Sequence, residues 1–487
     1  MREVRTRFAP SPTGYMHIGN LRTALYEYLI ARRNKGKFIL RIEDTDQGRL
    51  VEGSLDVIYN TLKLVGMNYD EGPDKEGAYG PYVQSQRLSL YLPYGKELVD
   101  NGDAYYCFCT RESLDELRAE QESKGIFPRY DSCCETLSAE EIEAKIKAGI
   151  PYVIRQKMPK VGETTFCDAV FGNITVDNRE LEDQILIKSD GYPTYNFANV
   201  IDDHLMAITH VIRGSEYLSS TSKYNLLYDA LGWEKPTYIH LPLILNEDGH
   251  KLSKRHGDMS FEDLVEEGYL VEAITNFVAL LGWSPGDERE FFTLKELEDN
   301  FTVEGISKSP SVFDKTKLKW MNGEYIRRMS IEDFHARALS YIKKGLSVNL
   351  NTMKIAKILQ KRTDILTEIP SQVIFLNNLE NYNTDLYKHK KMKTNKEIAL
   401  HSLKKGLEFL ESLNDFSEDA IHNGLIELAK TMEIKNGQLL WPLRVAVTGQ
   451  SMTPGGAIEI IDILGKEESI RRIIKGIELL DKEVGGA

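Results

Sequence analysis

The chain has 487 residues, of which 41% are apolar and 28% are charged, a balance typical of a soluble globular protein. No apolar run approaches the roughly 18 residues that a membrane-spanning helix needs, and the first residues lack the pattern of a secretory signal. Five cysteines in so long a chain do not indicate a disulfide framework, so we expect a cytoplasmic protein without a membrane partner. A net charge of −13 argues against a nucleic-acid partner, although a local basic face still binds phosphates.

The first informative segment is a strand–loop–helix junction close to the N-terminus. An extended run at residues 4–8 leads into a loop with two prolines, and apolar residues at helical spacing follow from Leu21. Gly14 and Gly19 carry no Cβ, so another group can approach the backbone closely there. His17 stands beside the predicted helix start, where free N–H groups and the helix dipole favour an anion. By itself, such a junction is more often an ordinary loop that caps a helix.

A second segment, residues 251–257, places four cationic or potentially cationic side chains within seven positions. It directly follows the turn-like sequence at residues 246–249. Alone, such a segment is most often a solvated charged loop.

Together the two segments resemble the signature pair of class I aminoacyl-tRNA synthetases. His17-Ile18-Gly19-Asn20 corresponds to the "HIGH" motif, with Asn20 in place of the second histidine. Lys251-Leu252-Ser253-Lys254-Arg255 corresponds to the "KMSKS" motif, with two departures from it. The sequences at residues 9–14 and 41–46 are similar to the glutamyl and glutaminyl branch, and the whole chain resembles bacterial glutamyl-tRNA synthetases.

The resemblance implies an α/β fold: a Rossmann-like parallel sheet with an inserted acceptor-binding domain, followed by an all-α C-terminal anticodon-binding domain. The strand–helix–strand pattern of residues 4–42 also predicts a parallel sheet with a right-handed crossover. Apolar residues recur at helical spacing after residue 331. The predicted domains are 1–100 with 190–250 (catalytic), 101–189 (inserted connective domain), 251–330 (lysine-motif loop and stem-contact domain) and 331–487 (helical anticodon-binding domain).

The resemblance further implies which residues form the site. Fixed positive charge suits the transfer of a nucleotidyl group, because negative charge builds on the phosphates. The predicted catalytic residues are His17, Lys251 and Lys254, and the predicted ATP-binding residues are Gly14, His17, Gly19, Asn20, Lys251, Ser253 and Lys254. The predicted glutamate-binding residues are Arg7, Ser11, Glu43, Tyr195, Asn199 and Arg213. A guanidinium such as that of Arg7 can form two parallel bonds with a side-chain carboxylate, and Glu43 offers a carboxylate to the α-amino group.

These assignments predict a monomeric glutamate–tRNA ligase that uses ATP, Mg²⁺ and L-glutamate and charges the 3′-terminal adenosine of tRNA-Glu. Whether tRNA-Gln is also charged stays open. The basic residues at 361–362 and 388–396 are candidate phosphate contacts or solvated helix ends. Two alternatives remain: a glutaminyl-tRNA synthetase, whose tRNA-binding region is typically a β-barrel, and a non-catalytic tRNA-binding paralogue.

The cysteines pose a separate question, because some relatives bind zinc through a C-x-C pair and a later C-x-H pair. Cys107, Cys109 and Cys134 match the first three positions, but Thr136 stands at the fourth and is a poor zinc ligand. Cys133 is a possible substitute, although adjacent residues rarely serve one tetrahedral site. The sequence therefore predicts reduced, partly buried thiols, with zinc unlikely and no other metal site.

Overall fold

The computed structural model of the chain describes residues 2–46, 48, 50–252, 259–379 and 381–484. Its contacts divide the chain into two units, Met1–Leu264 with Ile274–Asp314 and Val265–Ala273 with Lys315–Ala487. None of the helices in the described ranges is long and apolar enough to cross a membrane.

The structure contains short strands in the first unit and helices in both units. The strands are β1 (Arg5–Phe8), β2 (Lys37–Leu40), β3 (Ala104–Cys107), β4 (Val153–Gln156), β5 (Glu163–Asp168), β6 (Gly172–Asp177), β7 (Ile185–Ile187), β8 (His210–Gly214), β9 (Thr237–Leu241), β10 (Ile244–Leu245) and β11 (Ser311–Val312). The helices up to residue 300 are α1 (Ile18–Arg33), α2 (Ser54–Val65), α3 (Leu88–Asn101), α4 (Arg111–Ser123), α5 (Ala139–Lys147), α6 (Tyr195–Leu205), α7 (Leu218–Ala230), α8 (Phe261–Glu266), α9 (Val271–Ala279) and α10 (Leu294–Asn300).

The remaining helices belong to the second unit. They are α11 (Lys315–Arg328), α12 (Ile331–Gly345), α13 (Thr352–Gln360), α14 (Ile369–Val373), α15 (Lys396–Ser412), α16 (Glu418–Thr431), α17 (Asn436–Thr448), α18 (Ala457–Leu464) and α19 (Lys466–Val484).

The parallel strand pairs of the first unit bring the ends of distant chain segments to one edge. β1 and β2 pair in parallel through the crossover helix α1, as the sequence pattern predicts. β8 and β9 also pair in parallel, and the N–H of Thr209, just before β8, donates to the carbonyl of Arg5 in β1 at 3.0 Å. The carboxyl ends of β1, β2, β8 and β9 are therefore the expected place for a ligand.

The sheets are mixed rather than purely parallel. The sheet that contains β8 and β9 continues into the antiparallel hairpin β5–β6, in the order β6-β5-β9-β8. A second, antiparallel sheet has the order β3-β4-β7. Both β5–β6 and β3-β4-β7 come from the range that the sequence assigns to an inserted domain, and the division of the first unit into domains remains a prediction.

One strand extends further than its sequence pattern indicates. The apolar run at residues 207–212 predicts a strand that ends before Arg213, whereas β8 includes Arg213 and Gly214. The reason is pairing: Arg213 lies opposite His240 and Gly214 opposite Leu241 in β9, and these backbone bonds prolong the strand. Arg213 is therefore the next-to-last residue of β8, and it still lies at the carboxyl edge of the sheet.

Among the described residues after 315, helices are the regular elements of the second unit, in agreement with the all-α C-terminal domain predicted for residues 331–487. The apolar positions that recur at helical spacing face one core: Ile355, Leu359, Leu403, Ile421, Leu425 and Ile461 are fully buried. Burial of these side chains from several helices in one core holds the bundle together.

A buried arginine links three parts of this bundle. Arg472 in α19 has no exposed side-chain area, and its guanidinium donates to the carbonyls of Val447 at 2.7 Å and Phe375 at 2.9 Å. It also donates to the carbonyls of Leu376 and Asn377. Val447 lies at the C-terminal end of α17, and Phe375, Leu376 and Asn377 lie together in a turn. Carbonyl groups at such ends have no helical N–H donor, so the guanidinium supplies one.

We therefore expect Arg472→Met to destabilise the protein by about 3–5 kcal/mol, because several buried carbonyls lose their donor together. Urea unfolding of the full-length protein measures the shift. The matched control is Arg471→Met in the neighbouring position, because Arg471 is 57% exposed and pairs only with Glu468. That control should cost no more than about 1 kcal/mol. Equal shifts for the two variants would contradict the assigned role of Arg472.

Candidate active site

A cavity of about 450 Å³ opens at the carboxyl edge of the parallel strands in the first unit. It brings together nine of the residues that the sequence predicts for the site: Arg7, Ser11, His17, Gly19, Asn20, Glu43, Tyr195, Arg213 and Lys251. Gly14 and Asn199 are not among its lining residues. Ser253 and Lys254 lie outside the residues that the structure describes.

One wall of the cavity is the N-terminus of α1. His17 occupies the N-cap position, directly before the helix begins at Ile18, as the sequence predicts. A Cβ added at Gly19 would meet no atom of the described residues within 4 Å, so packing among them does not require glycine there. Gly14 differs, because its φ of 120° lies in the region that favours glycine. The glycine at 19 therefore keeps the cavity open beside the free N–H groups of the first helical turn.

The opposite wall contains Arg7, the last charged residue of β1. Its Nε donates to Asp203 Oδ1 at 2.9 Å, and its Nη1 lies 3.3 Å from Glu27 Oε1. Asp203 Oδ1 also accepts from Arg41 Nη1 at 2.7 Å. Burial opposes charge on Arg7, but Asp203 outweighs it and raises the pKa of this guanidinium above its ordinary value. Arg7 is thus a fixed cation at the cavity wall.

Glu27 makes this wall unusual. The residue is 1% exposed, and its Oε2 has no hydrogen-bond partner among the described residues. Burial raises the pKa of Glu27 well above its ordinary value, although Arg7 opposes the shift. The less Glu27 is ionised, the more of the positive charge of Arg7 is available to an acidic ligand.

Glu43 supplies the carboxylate of the site. It follows β2, its backbone N–H donates to the carbonyl of Pro10, and its Oε1 accepts from Arg41 Nη2 at 2.9 Å. Burial raises the pKa of Glu43, and Arg41 and Arg7 only partly offset this. A bound cation would favour the ionised form, which is the chemistry expected opposite an α-amino group.

Arg213 and two aromatic rings form the third side. Its Nη2 donates to Thr221 Oγ1 at 2.8 Å, and its guanidinium carbon lies 4.6 Å from the ring centre of Tyr224. Tyr195 lies at the cavity wall with its ring 5.8 Å from that of Tyr217.

Asn199 lies one helical turn beyond Tyr195 in α6 and is buried. Its Nδ2 donates to the backbone carbonyl of Tyr195 at 2.7 Å. Here it braces the helix that carries Tyr195, and a direct contact between Asn199 and a substrate stays a prediction.

The first lysine of the second motif faces the same cavity. Lys251 Nζ lies 3.0 Å from Glu216 Oε1, and both side chains are about half exposed. A phosphate that binds Lys251 would have to compete with this exposed ion pair, whose energy is small, about 0–1 kcal/mol.

Sequence reasoning did not single out Asp203, Arg41 and Glu27 as parts of the site. Asp203 and Arg41 bind each other and the predicted residues Arg7 and Glu43, and all of them are buried. A sequence signal for such a residue does exist: Glu27 is a charged residue at an otherwise apolar position of the helix α1.

The cysteines form a cluster in the part of the chain around β3. The sulfur atoms of Cys107, Cys109 and Cys134 lie within 4.8 Å of one another, so the three predicted candidates do meet. Cys133 Sγ also lies 3.3 Å from Cys109 Sγ, and the hydroxyl of Tyr130 lies 3.2 Å from Cys107 Sγ. Burial raises the pKa of the Cys109 thiol, a shift that a cation would reverse.

This donor set fits a soft divalent metal such as zinc, since three thiols converge and two further groups stand close by. The sequence places Thr136 at the fourth position, and it missed Tyr130 because an aromatic hydroxyl is an uncommon ligand. The prediction that the thiols hold no zinc stays a prediction.

Comparison with known proteins agrees with this geometry. Residues 3–320 match the family described as tRNA synthetases class I (E and Q), catalytic domain, and residues 332–477 match an anticodon binding domain. The chain therefore belongs to the class I tRNA synthetases of the E and Q group. The family resemblance predicted from the two signature motifs is confirmed.

Two relatives at high identity are both named glutamate–tRNA ligase. The chain is 58% identical over 482 residues to the glutamate–tRNA ligase of Clostridium tetani, covering 99% of each sequence. It is 59% identical over 478 residues to the glutamate–tRNA ligase of Clostridium botulinum strain Loch Maree, covering 98% of this chain and 99% of that one.

A solved structure agrees with these relatives. A crystal structure of a glutamate tRNA ligase from Elizabethkingia meningosepticum in complex with its amino acid matches with a TM-score of 0.90 and 37% identity. That match covers 98% of this chain and all of the other. The class I synthetase fold with a helical C-terminal part is thus confirmed.

Proposed function

We propose that this chain is a glutamate–tRNA ligase, which forms glutamyl-adenylate from L-glutamate and ATP and then acylates the 3′-terminal adenosine of tRNA-Glu. The observation that carries the proposal is the cavity of the first unit. It joins a buried guanidinium, a buried carboxylate and the N-terminus of a helix at one edge of the sheet. These are the groups that an acidic amino acid and a nucleotide phosphate require.

The choice of amino acid follows from charge. Arg7 and Arg213 both line the cavity, and a guanidinium presents a planar positive charge that matches a carboxylate. A side-chain carboxylate accepts two charged hydrogen bonds from a guanidinium, each contributing roughly 1.5–3 kcal/mol. The amide of glutamine would point an NH₂ group at the same cation. The pocket therefore favours glutamate over glutamine, and Glu43 binds the α-amino group.

The phosphate side depends on position and fixed charge rather than on a covalent nucleophile. His17 and the backbone at Gly19 would contact the α-phosphate at the start of α1. Lys251, with Lys254 from the same motif, would neutralise the departing pyrophosphate. ATP enters as its Mg²⁺ complex, and the metal supplies further positive charge to the phosphate oxygens.

The second unit contains a cavity of about 480 Å³ that suits an RNA partner. Five of its lining residues are cationic: Lys354, Lys357, Lys361, Arg362 and Arg444. Arg444 also lies over the ring of Trp441 at 4.4 Å, and the ring of His389 lies 4.0 Å from that of Trp441. Cations beside aromatic groups bind phosphates and unpaired bases, so we assign the anticodon to this face. Three acidic residues, Glu418, Glu459 and Asp462, also line the cavity, so its lining carries two more positive than negative side chains although the net charge of the chain is −13.

The helical second unit also favours a glutamate enzyme over a glutaminyl enzyme, whose tRNA-binding region is typically a β-barrel. The intact lining residues His17, Gly19 and Lys251 argue against a non-catalytic paralogue. A monomeric state and a place in the cytoplasm belong to this proposal as well.

The test is aminoacylation of purified tRNA-Glu and tRNA-Gln with either glutamate or glutamine. We expect charging of tRNA-Glu with glutamate and none with glutamine; charging of tRNA-Gln with glutamate would define a wider tRNA range. The matched variant is Gly19→Ala, which gains helix propensity of roughly 1 kcal/mol and meets no atom of the described residues. This variant should fold normally but should no longer charge tRNA, because the new methyl group occupies the space where the phosphate of ATP would bind. Charging with glutamine, or no ATP–pyrophosphate exchange by the wild-type protein with tRNA present, would contradict the proposal.

A further inference from the structure

Behind Arg213, away from the cavity, lies a buried pair of side chains, Asp168 and His240. Neither has exposed side-chain area, and neither is among the described residues that line the cavity. Asp168 Oδ2 lies 2.6 Å from His240 Nδ1 and accepts from the backbone N–H of His240 at 3.0 Å. Its Oδ1 accepts from the backbone N–H groups of Val170 and Phe171. Asp168 is therefore saturated with donors, as an ionised carboxylate requires.

This arrangement decides the tautomer of His240. Because Asp168 is an acceptor, the proton of the neutral imidazole must be on Nδ1, and Nε2 is left with its lone pair. Nε2 lies 3.2 Å from Arg213 Nε, which always carries hydrogen and donates to it. Thr221 Oγ1 is also 3.2 Å from Nε2, but its proton is directed at the carbonyl of Tyr217 at 2.8 Å. The imidazole thus accepts from Arg213.

The guanidinium of Arg213 is consequently held along one edge. His240 Nε2 accepts from its Nε, and Thr221 Oγ1 accepts from its Nη2 at 2.8 Å. Among the hydrogen bonds of the described residues, none uses its Nη1, so that nitrogen is left for a ligand in the cavity. Two fixed acceptors restrict a side chain that otherwise loses much rotamer freedom when it binds.

Asp168, His240 and Arg213 lie on three neighbouring strands of one sheet. Asp168 ends β5 and pairs with Tyr238 of β9, while His240 of β9 lies opposite Arg213 of β8. The relay Asp168–His240–Arg213 therefore crosses three neighbouring strands, whose backbone hydrogen bonds fix its spacing. A relay built on strands positions its last member more exactly than one built on loops.

We propose that His240, kept as the Nδ1–H tautomer by Asp168, is a positioning residue that orients Arg213 toward a carboxylate of L-glutamate. The inference rests on the proposed function, since it deepens the role of Arg213 there. His240 itself contacts neither substrate nor reacting atoms.

The charges around His240 agree with a neutral ring. The charged groups that face it are Asp168 on β5, Arg213 on β8 and Glu216 in the turn after β8. Burial lowers the pKa of His240 below its ordinary value; Asp168 opposes this shift and Arg213 adds to it. A protonated ring would lose its acceptor and place a second cation beside Arg213.

The test uses two substitutions that separate the ring nitrogens. In His240→Asn the short amide replaces Nδ1 and keeps the bond to Asp168, but nothing replaces Nε2. In His240→Gln the longer side chain puts a carbonyl oxygen near the position of Nε2. The readout is the KM for glutamate and for ATP, together with kcat, in ATP–pyrophosphate exchange with tRNA present.

We expect His240→Asn to raise the KM for glutamate about tenfold, which corresponds to the loss of one hydrogen bond, and to leave kcat and the KM for ATP unchanged. His240→Gln should restore most of the loss. In an Arg213→Ala background, His240→Asn should have no further effect, because its target is gone. A purely structural role of His240 would instead raise both KM values, or lower kcat, in either background.

The pH profile supplies a measurement on the wild-type protein. As the pH falls below the ordinary histidine value of about 6.5 and through the lower pKa of His240, the KM for glutamate should rise. The KM for ATP should not follow, and His240→Gln should remove the part of the rise that belongs to His240, while protonation of Glu43, whose pKa is raised, affects both proteins alike. A glutamate KM that rises equally in the wild-type protein and in His240→Gln, or that rises in neither, overturns the inference.

The outcomes also separate this inference from the function on which it rests. If Arg213→Ala leaves the KM for glutamate unchanged, the glutamate pocket of the proposed function is wrong at Arg213. If Arg213→Ala raises that KM while His240→Asn does not, Arg213 binds glutamate without help from His240, and only the positioning role is overturned.

Discussion

Arg7→Ala should nearly abolish glutamate-dependent ATP–pyrophosphate exchange, with a loss in kcat/KM of about 10²- to 10⁴-fold. The reason is that two charged hydrogen bonds to the substrate side chain, each of roughly 1.5–3 kcal/mol, disappear together. The measurement is exchange with tRNA present and with glutamate varied at saturating ATP.

The control for this change is Arg7→Lys, which keeps the positive charge but cannot form two parallel bonds with one carboxylate. Its loss should be intermediate. Near-normal exchange by Arg7→Ala would remove Arg7 from the site and leave Arg213 as the other predicted glutamate-binding guanidinium in the cavity lining.

Asp203→Asn should both destabilise the protein and weaken glutamate binding. Asp203 Oδ1 accepts from Arg7 Nε at 2.9 Å and from Arg41 Nη1 at 2.7 Å, and the residue is 2% exposed. Without its charge two guanidinium groups lie buried side by side, which typically costs about 3–5 kcal/mol. Urea unfolding and the KM for glutamate are the two measurements.

The neighbouring residue Asp202 offers a matched control. It is equally buried, and it accepts from Arg87 Nε at 2.7 Å and from the Tyr91 hydroxyl at 2.9 Å, but it does not contact Arg7. Asp202→Asn should therefore destabilise the protein to a similar extent and leave the KM for glutamate unchanged. A rise in that KM for both variants would show that lost stability, rather than a displaced Arg7, weakens binding.

The loss of stability in Asp203→Asn should depend on pH, in a direction that follows from the pKa of Asp203. Burial opposes ionisation, but Arg7 and Arg41 outweigh it and hold the pKa of Asp203 below its ordinary value. Its contribution to stability is therefore complete above the ordinary aspartate value of about 3.9 and is lost as the pH falls through the lower pKa of the folded protein. The difference between wild type and Asp203→Asn should shrink in that acid range.

Local sequence was sufficient for much of the fold. The helix α1 begins directly after His17, and the apolar positions of α13, α15, α16 and α18 face a common core, because helical periodicity depends only on residues three or four positions apart. The parallel pairing of β1 with β2 follows from the length of the connecting helix. The hairpin β5–β6 beside β9 was not predictable in this way, since its strand partner lies far along the chain.

The candidate site shows the same division between what local sequence determines and what tertiary structure determines. The sequence by itself determined which residue types stand at the strand ends and at the start of α1, because a motif records chemistry at fixed short spacing. Only the tertiary structure decided what holds them: Asp203 contacts Arg7 across 196 positions, and Asp168 reaches His240 across 72. The physical reason is that burial and long-range ion pairing set orientation and protonation, and these depend on groups that meet only when the sheet forms.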